Sequence, residues 1–215
     1  MAKLDLPEPR EYGWTLKRLR SAKTSVRRDS VGGIDIEIEH ETVHGVSAAM
    51  LAWWFQHLDK ELVFRGEKIP VYLLWHPYDH VSVEGTRDDA GKIAPGSTIH
   101  LHEVFGRDPR FVFKEALGVH RWDAGGIGLH LEVPGLRLFQ VDHAFRDVEG
   151  GARYHTRAHI GAPGVIGALA NAVLIPLKFD DDKIGAWLTH NVEEVGNFEN
   201  FLPELCASMG VKKAA

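Results

Sequence analysis

Sulfur chemistry is almost absent from this chain. Cys206 is the single cysteine among 215 residues, which excludes an intramolecular disulfide and a thiolate metal cluster. No run of about 18 apolar residues occurs, so no segment reads as a membrane-spanning helix. Positive charge is not in excess either, since 25 Lys and Arg face 30 Asp and Glu for a formal net charge of -5. Nothing global therefore draws the chain to nucleic acid or anionic lipid. The local exception is residues 17–28, with Lys17, Arg18, Arg20, Lys23, Arg27 and Arg28. It lacks the interleaved aromatics that would stack bases and reads as a solvated segment. The opening MAKLDLPEPREYGW lacks the basic-then-apolar order of a secretory signal, and a cytoplasmic location is the expectation.

What is present is an ordinary globular composition, 44% hydrophobic and 26% charged, long enough for one domain with its own core. Thirteen histidines are a mild excess and a reason to look for metal chemistry. Residues 1–30 read as a polar N-terminal arm and 31–215 as a single domain. Ile34, Ile36 and Ile38 alternate with Asp35, Glu37 and Glu39, the pattern of a half-buried strand. Ser47 can cap a helix through AAMLAWWFQHLDKE. A β-type run, VYLLWHPYDHVSVEG, starts at Val71 and is broken by Pro77. Between Ser97 and about Ile160, strand-length segments are separated by the turn signals DAGG, VPG and VEGG. Beyond them the period lengthens: Ile184, Trp187, Leu188 and Val192 predict a helix over 181–198, with Asp180 to Asp182 at its N-terminus. A second helical piece is expected after Pro203. A curved antiparallel sheet around a long C-terminal helix buries both apolar faces and leaves a cavity between them. That is an α+β helix-grip fold, Bet v 1-like.

Three segments carry groups that a plain core would not hold. In HNVEEVGNFENFLP, His190 and Glu194 are four apart and share one helix face, which also carries Trp187, while Asn191 points elsewhere. Polar groups on a core-facing side are costly unless something binds them. In HPYDH, His80 is a candidate ligand, and Asp79 or a backbone carbonyl can orient a ring. In IHLHEVF, strand alternation puts Glu103 with Leu101 on the inward face and sends His100 and His102 outward. A buried glutamate needs a metal, a cation or a proton. Two histidines and two carboxylates suit zinc, and the same types suit iron(II).

The stretches LLWHPYDH (73–80), HEVF (102–105) and HNVEEVGNFENFLP (190–203) resemble the 2,4-diacetylphloroglucinol hydrolase family, which includes phloretin hydrolase. The similarity covers about residues 45 to 205. It implies a zinc ion held by His80, Glu103, His190 and Glu194, and hydrolysis of a carbon–carbon bond between an acyl carbonyl and a phenolic ring. Such a reaction needs a proton donor for the departing ring carbon, for which His143, His155 and His159 are candidates. Glu103, His143 and Tyr72 form the candidate catalytic set. Tyr72 can also bind a ring hydroxyl, and Trp53, Trp54, Trp75 and Phe145 can line an aromatic slot. The expected partner is a small acylated phenol, with a homodimer by analogy. Two other classes use the same framework: a non-catalytic carrier of a hydrophobic aromatic ligand, and an iron(II) oxygenase.

Overall fold

The computed structural model describes residues 6–133 and 136–211. In chain order the elements are β1 (Lys23–Arg28), β2 (Ile34–Glu39), β3 (Val43–His44), α1 (Ala48–His57), β4 (Glu61–Phe64) and β5 (Glu67–Pro70). There follow α2 (Tyr72–Trp75), β6 (His80–Gly85), β7 (Thr98–Val104), β8 (Val112–Asp123), β9 (Gly126–Val133), β10 (Leu136–Val148) and β11 (Gly151–Ile160). Helices α3 (Gly164–Lys178) and α4 (Asp181–Ser208) close the sequence. Pro134 and Gly135 of the expected VPG turn lie outside the described residues.

Among the described residues, nine strands form one antiparallel sheet in the order β1-β2-β11-β10-β9-β8-β7-β6, with β3 paired to β11. The chain thus enters the middle of the sheet late, and β2 closes against the hairpin β10–β11. β4 and β5 make a separate hairpin. Inward residues alternate as the sequence implies: Ile34, Ile36 and Ile38 of β2, and Tyr154, Thr156 and Ala158 of β11, are buried. Helix α4 is capped by Asp180, whose side chain accepts from the Lys183 amide. Its 28 residues span about 42 Å at 1.5 Å per residue. Leu188, Val192, Val195, Phe198, Leu202 and Leu205 are buried in the core that the sheet wraps.

Four expectations change. The N-terminal segment is not a loose arm to residue 30. Lys23–Arg28 is an edge strand, and Trp14 before it lies on α4, stacked on Phe201 with ring centroids 6.1 Å apart. Lys17 is consequently not a solvated charge. Its stem passes Gly196, where a Cβ would stand 2.7 Å from Lys17 Cγ, and its Nζ reaches Glu199 Oε1 at 2.7 Å. The run from Val71 is not a strand at first, since Tyr72–Trp75 make one helical turn before β6. Helix α4 does not stop at 198 but continues through Pro203 to Ser208. Burial of Phe201, Leu202, Leu205 and Cys206 offsets the one backbone hydrogen bond that proline removes.

Candidate metal centre

His80 opens β6 opposite Glu103 of β7 in the sheet register. His190 and Glu194 lie one turn apart on the buried side of α4. All four are buried, Glu103 being the most accessible at 7%. His80 Nε2 stands 3.6 Å from Glu103 Oε1 and 3.4 Å from Glu194 Oε2. His190 Nε2 stands 3.9 Å from Glu103 Oε2 and 3.6 Å from Glu194 Oε2. Ligand atoms of His80, Glu103 and His190 all fall within 4.8 Å of one another, and Glu194 adjoins both rings. Donors bonded to a tetrahedral zinc are about 3.3–3.5 Å apart along each edge. The observed gaps are those lengths or slightly longer.

The outer atoms of the two rings are fixed. His80 Nδ1 donates to the Tyr72 carbonyl at 2.8 Å, and His190 Nδ1 donates to Asp79 Oδ2 at 2.9 Å. A backbone carbonyl and Asp79 therefore both serve, one for each histidine, and both Nε2 atoms face the centre. Asp79 Oδ2 also accepts from the Gly106 amide. The Tyr72 hydroxyl donates to Glu103 Oε1, and Asn191 Nδ2 donates to Glu194 Oε1 at 2.7 Å. Asn191 thus points toward the cluster rather than elsewhere. His76 stands on the far side of His190, stacked on its ring at 4.6 Å, bonded to Glu193 at 3.1 Å and 3.7 Å from Asp79 Oδ2. His76, Asp79 and His190 thus bring ligand atoms within 4.8 Å of one another as well.

The electrostatics are those of a cluster short of positive charge. Burial lifts the pKa of Glu103 and Glu194 above the usual carboxylate range, against the pull of His190, and their mutual repulsion lifts Glu194 further. Burial opposes charge on His190 too, yet Glu194, the Asp79 bond and Glu103 outweigh it and raise the group to about 9. Burial and the neighbouring His190 and His76 push His80 well below its ordinary value. His80 Nε2 is buried without any hydrogen-bond partner, a condition that costs free energy unless something fills it. An orphaned imidazole nitrogen facing two carboxylates and a second ring fits a divalent cation.

Beside the cluster, between sheet and α4, lies a cavity of about 60 Å³ walled by Phe55, Trp75, Phe113, Ile127, His143 and Trp187 among others. A space of about 20 Å³ adjoins it and shares Phe113, Phe139 and Trp187 as walls. Of the expected aromatic slot, Trp75 lines the cavity, but Trp54 does not. Trp54 is wholly buried against Trp75, Phe198 and Phe201. Phe145 stacks on Phe55 and lines an outer groove instead, and Trp53 stacks on His57 near the surface. Tyr72 lines the cavity with its ring flat on His80 at 3.8 Å. Of the three candidate proton donors, only His143 reaches the cavity. His155 lines the outer groove, and His159 bonds Asp35 on the outer face. Strand parity carries that distinction, because His143 shares a face with Phe139 and Val141. The bond from Asn191 to Glu194 has no comparable signal.

No family model matches the chain, and no curated protein matches it. Solved structures do. Ara h 8.0201 superposes with a TM-score of 0.52 at 13% identity, over 80% of this chain and 99% of that one. The di-domain ARO/CYC BexL from the BE-7585A biosynthetic pathway gives 0.49 at 10% identity, over 81% of this chain and 51% of that one. Protein NE0264 from Nitrosomonas europaea gives 0.47 at 12% identity, over 86% and 99%. The likeness to Ara h 8.0201 shows the fold, which is the Bet v 1-like helix-grip expected from the element pattern.

Proposed function

We propose that this chain is a zinc-dependent hydrolase that cleaves the carbon–carbon bond between an acyl carbonyl and a phenolic ring. One observation carries the reading: four buried ionisable groups converge, with Glu103, His190 and Glu194 on the wall of a largely apolar cavity and His80 Nε2 left unpartnered beside them. A protein that only binds apolar ligands gains nothing from burying two carboxylates, each of which is costly without a counter-charge. The resemblance of 73–80, 102–105 and 190–203 to phloroglucinol-type hydrolases supports the same conclusion.

Held by His80, Glu103, His190 and Glu194, zinc supplies Lewis acidity toward an acyl oxygen and toward water. The remaining roles belong to the chain's own groups. Trp75, Phe113 and Trp187 hold the ring and exclude bulk water. Tyr72 fixes Glu103, and its hydroxyl oxygen can still accept from a ring hydroxyl. His143, kept neutral by burial, which lowers its pKa to about 4, takes the proton released as water adds to the acyl carbon. It then returns a proton to the ring carbon as the carbon–carbon bond breaks. Ring hydroxyls beside that carbon spread the charge of the departing enolate.

A ring needs more room than about 60 Å³, since an apolar cavity of about 150 Å³ takes benzene. Substrate admission therefore moves Phe113, Phe139 or Trp187, the walls shared with the adjoining space. The apolar lining favours a second reading, a non-catalytic binder of an aromatic ligand. Incubation with 2,4-diacetylphloroglucinol or phloretin, of zinc-loaded protein without oxygen and of iron(II)-loaded protein with and without it, separates the readings. Release of a carboxylic acid and a deacylated ring is the expected result, binding without cleavage supports the second reading, and strict dependence on oxygen points to an iron(II) oxygenase.

A further inference from the structure

His143 is joined through one hydroxyl to a second histidine that the cavity does not contain. His143 Nδ1 lies 3.2 Å from Thr156 Oγ1, and His40 Nε2 lies 3.3 Å from the same oxygen. Thr156 is wholly buried and His143 nearly so. His40 sits past the end of β2, pinned by its amide to the Tyr154 carbonyl at 3.2 Å. Its ring lines an outer groove of about 620 Å³ with His155, Arg153 and Glu41. The three side chains therefore form a continuous row from the inner cavity to the outer groove. We propose that His40, Thr156 and His143 are a proton relay between that groove and the cavity.

The chemistry of the row suits transfer without charge build-up. A threonine hydroxyl donates once and accepts as well, and a neutral imidazole donates from one nitrogen and accepts at the other. Both rings are held neutral: burial, with the neighbouring His143 and His155, brings His40 to about 3, and burial brings His143 to about 4. A buried imidazolium is thus disfavoured at either place, and a concerted shift is the route that avoids one.

The relay rests on the hydrolase reading for its purpose, and its steps balance. As water adds its oxygen to the acyl carbon, its proton passes to His143 Nε2. The Nδ1 proton of His143 then moves to Thr156, the Thr156 hydroxyl proton moves to His40 Nε2, and the Nδ1 proton of His40 leaves to the groove. Cleavage reverses the sequence. The ring carbon takes the proton on His143 Nε2, and His40 Nδ1 regains one from the groove. The net change is one water consumed, one ring C–H and one carboxylic acid formed, with the starting tautomers restored.

The test reads proton movement without needing turnover. In metal-free protein labelled with ¹⁵N-histidine, hydrogen exchange of the His143 ring N–H is followed by NMR in wild type, Thr156→Val, Thr156→Ser and His40→Phe. Exchange slowed at least tenfold in Thr156→Val and in His40→Phe, with Thr156→Ser close to wild type, is the expected outcome. Rates within twofold of wild type in both Thr156→Val and His40→Phe would overturn the relay. Should one of those two variants fail to fold, the other decides against Thr156→Ser or wild type. Slowed exchange in a protein that cleaves no acylphenol would keep the relay and reject the hydrolase.

Discussion

His190 Nδ1 and Asp79 Oδ2 meet at 2.9 Å although 111 residues separate them in the chain. This bond ties the one-turn α2–β6 junction to the long helix and sets which nitrogen of His190 faces the ligand cluster. Partners of this kind typically contribute 10–100-fold to metal affinity. Asp79→Asn is therefore expected to weaken zinc binding by about 10–100-fold in competition with a chromogenic chelator, while far-ultraviolet circular dichroism stays unchanged. Wild-type affinity in Asp79→Asn would show that α4 alone orients the ring.

Direct removal of a ligand should cost more. His190→Ala and Glu194→Gln each take one donor from a set of four, so zinc affinity should fall at least about 100-fold, beyond the range of an orienting partner. Competition with a chromogenic chelator reads the loss, and denaturant titration without zinc checks that both variants fold.

Metal binding should release protons. Without zinc, His190 holds a proton up to about pH 9, and Glu194 holds its own well above the ordinary carboxylate range. Ligation requires both to be deprotonated. Apparent zinc affinity should climb as pH rises from about 6 to 9, and calorimetry in buffers of different ionisation enthalpy should show net proton release near pH 7. Proton-neutral binding would mean that His190 or Glu194 is not a ligand.

Stability should fall on acidification because of His143. Its folded pKa is lowered to about 4 from an unfolded value of about 6.5, so the unfolded chain takes up the proton first. The contribution is full above about pH 6.5 and is lost as pH falls toward 4. By linkage this amounts to about 2 kcal/mol between pH 7 and pH 5. His190, raised to about 9, acts in the opposite direction, so the comparison is with His143→Phe. Wild type should lose about 2 kcal/mol more than that variant over this range, measured by urea unfolding.

Much of this site follows from periodicity alone. Alternation through Ile99, Leu101 and Glu103 puts the carboxylate on the inner face, and four-residue spacing puts His190 above Glu194 on α4. The acidic start of α4 is equally plain, with Asp180 as the capping residue. Where local pattern and tertiary packing disagree, the sequence misleads. Tyr72, Leu73, Leu74 and Trp75 have strand-like side chains, yet they make a helical turn whose carbonyls at Leu74 and Trp75 accept from Asn197. Trp54 and Trp75 both stand in apolar runs, and only tertiary packing, with Phe198 and Phe201 against Trp54, separates the one that reaches the cavity. Helix α3 has no polar N-cap, since Pro163 occupies that position, and its apolar run carries no start signal. His40 and Thr156 meet only because β2 pairs with β11, a long-range pairing that no local pattern specifies.

The central claim is that His80, Glu103, His190 and Glu194 hold one divalent ion. Elemental analysis of protein purified without a metal-affinity step tests it most directly. About one zinc per chain in wild type, and none retained by His190→Ala after zinc incubation and dialysis, is the predicted result. Wild type that retains no metal after the same treatment, or His190→Ala that retains as much as wild type, would contradict the account.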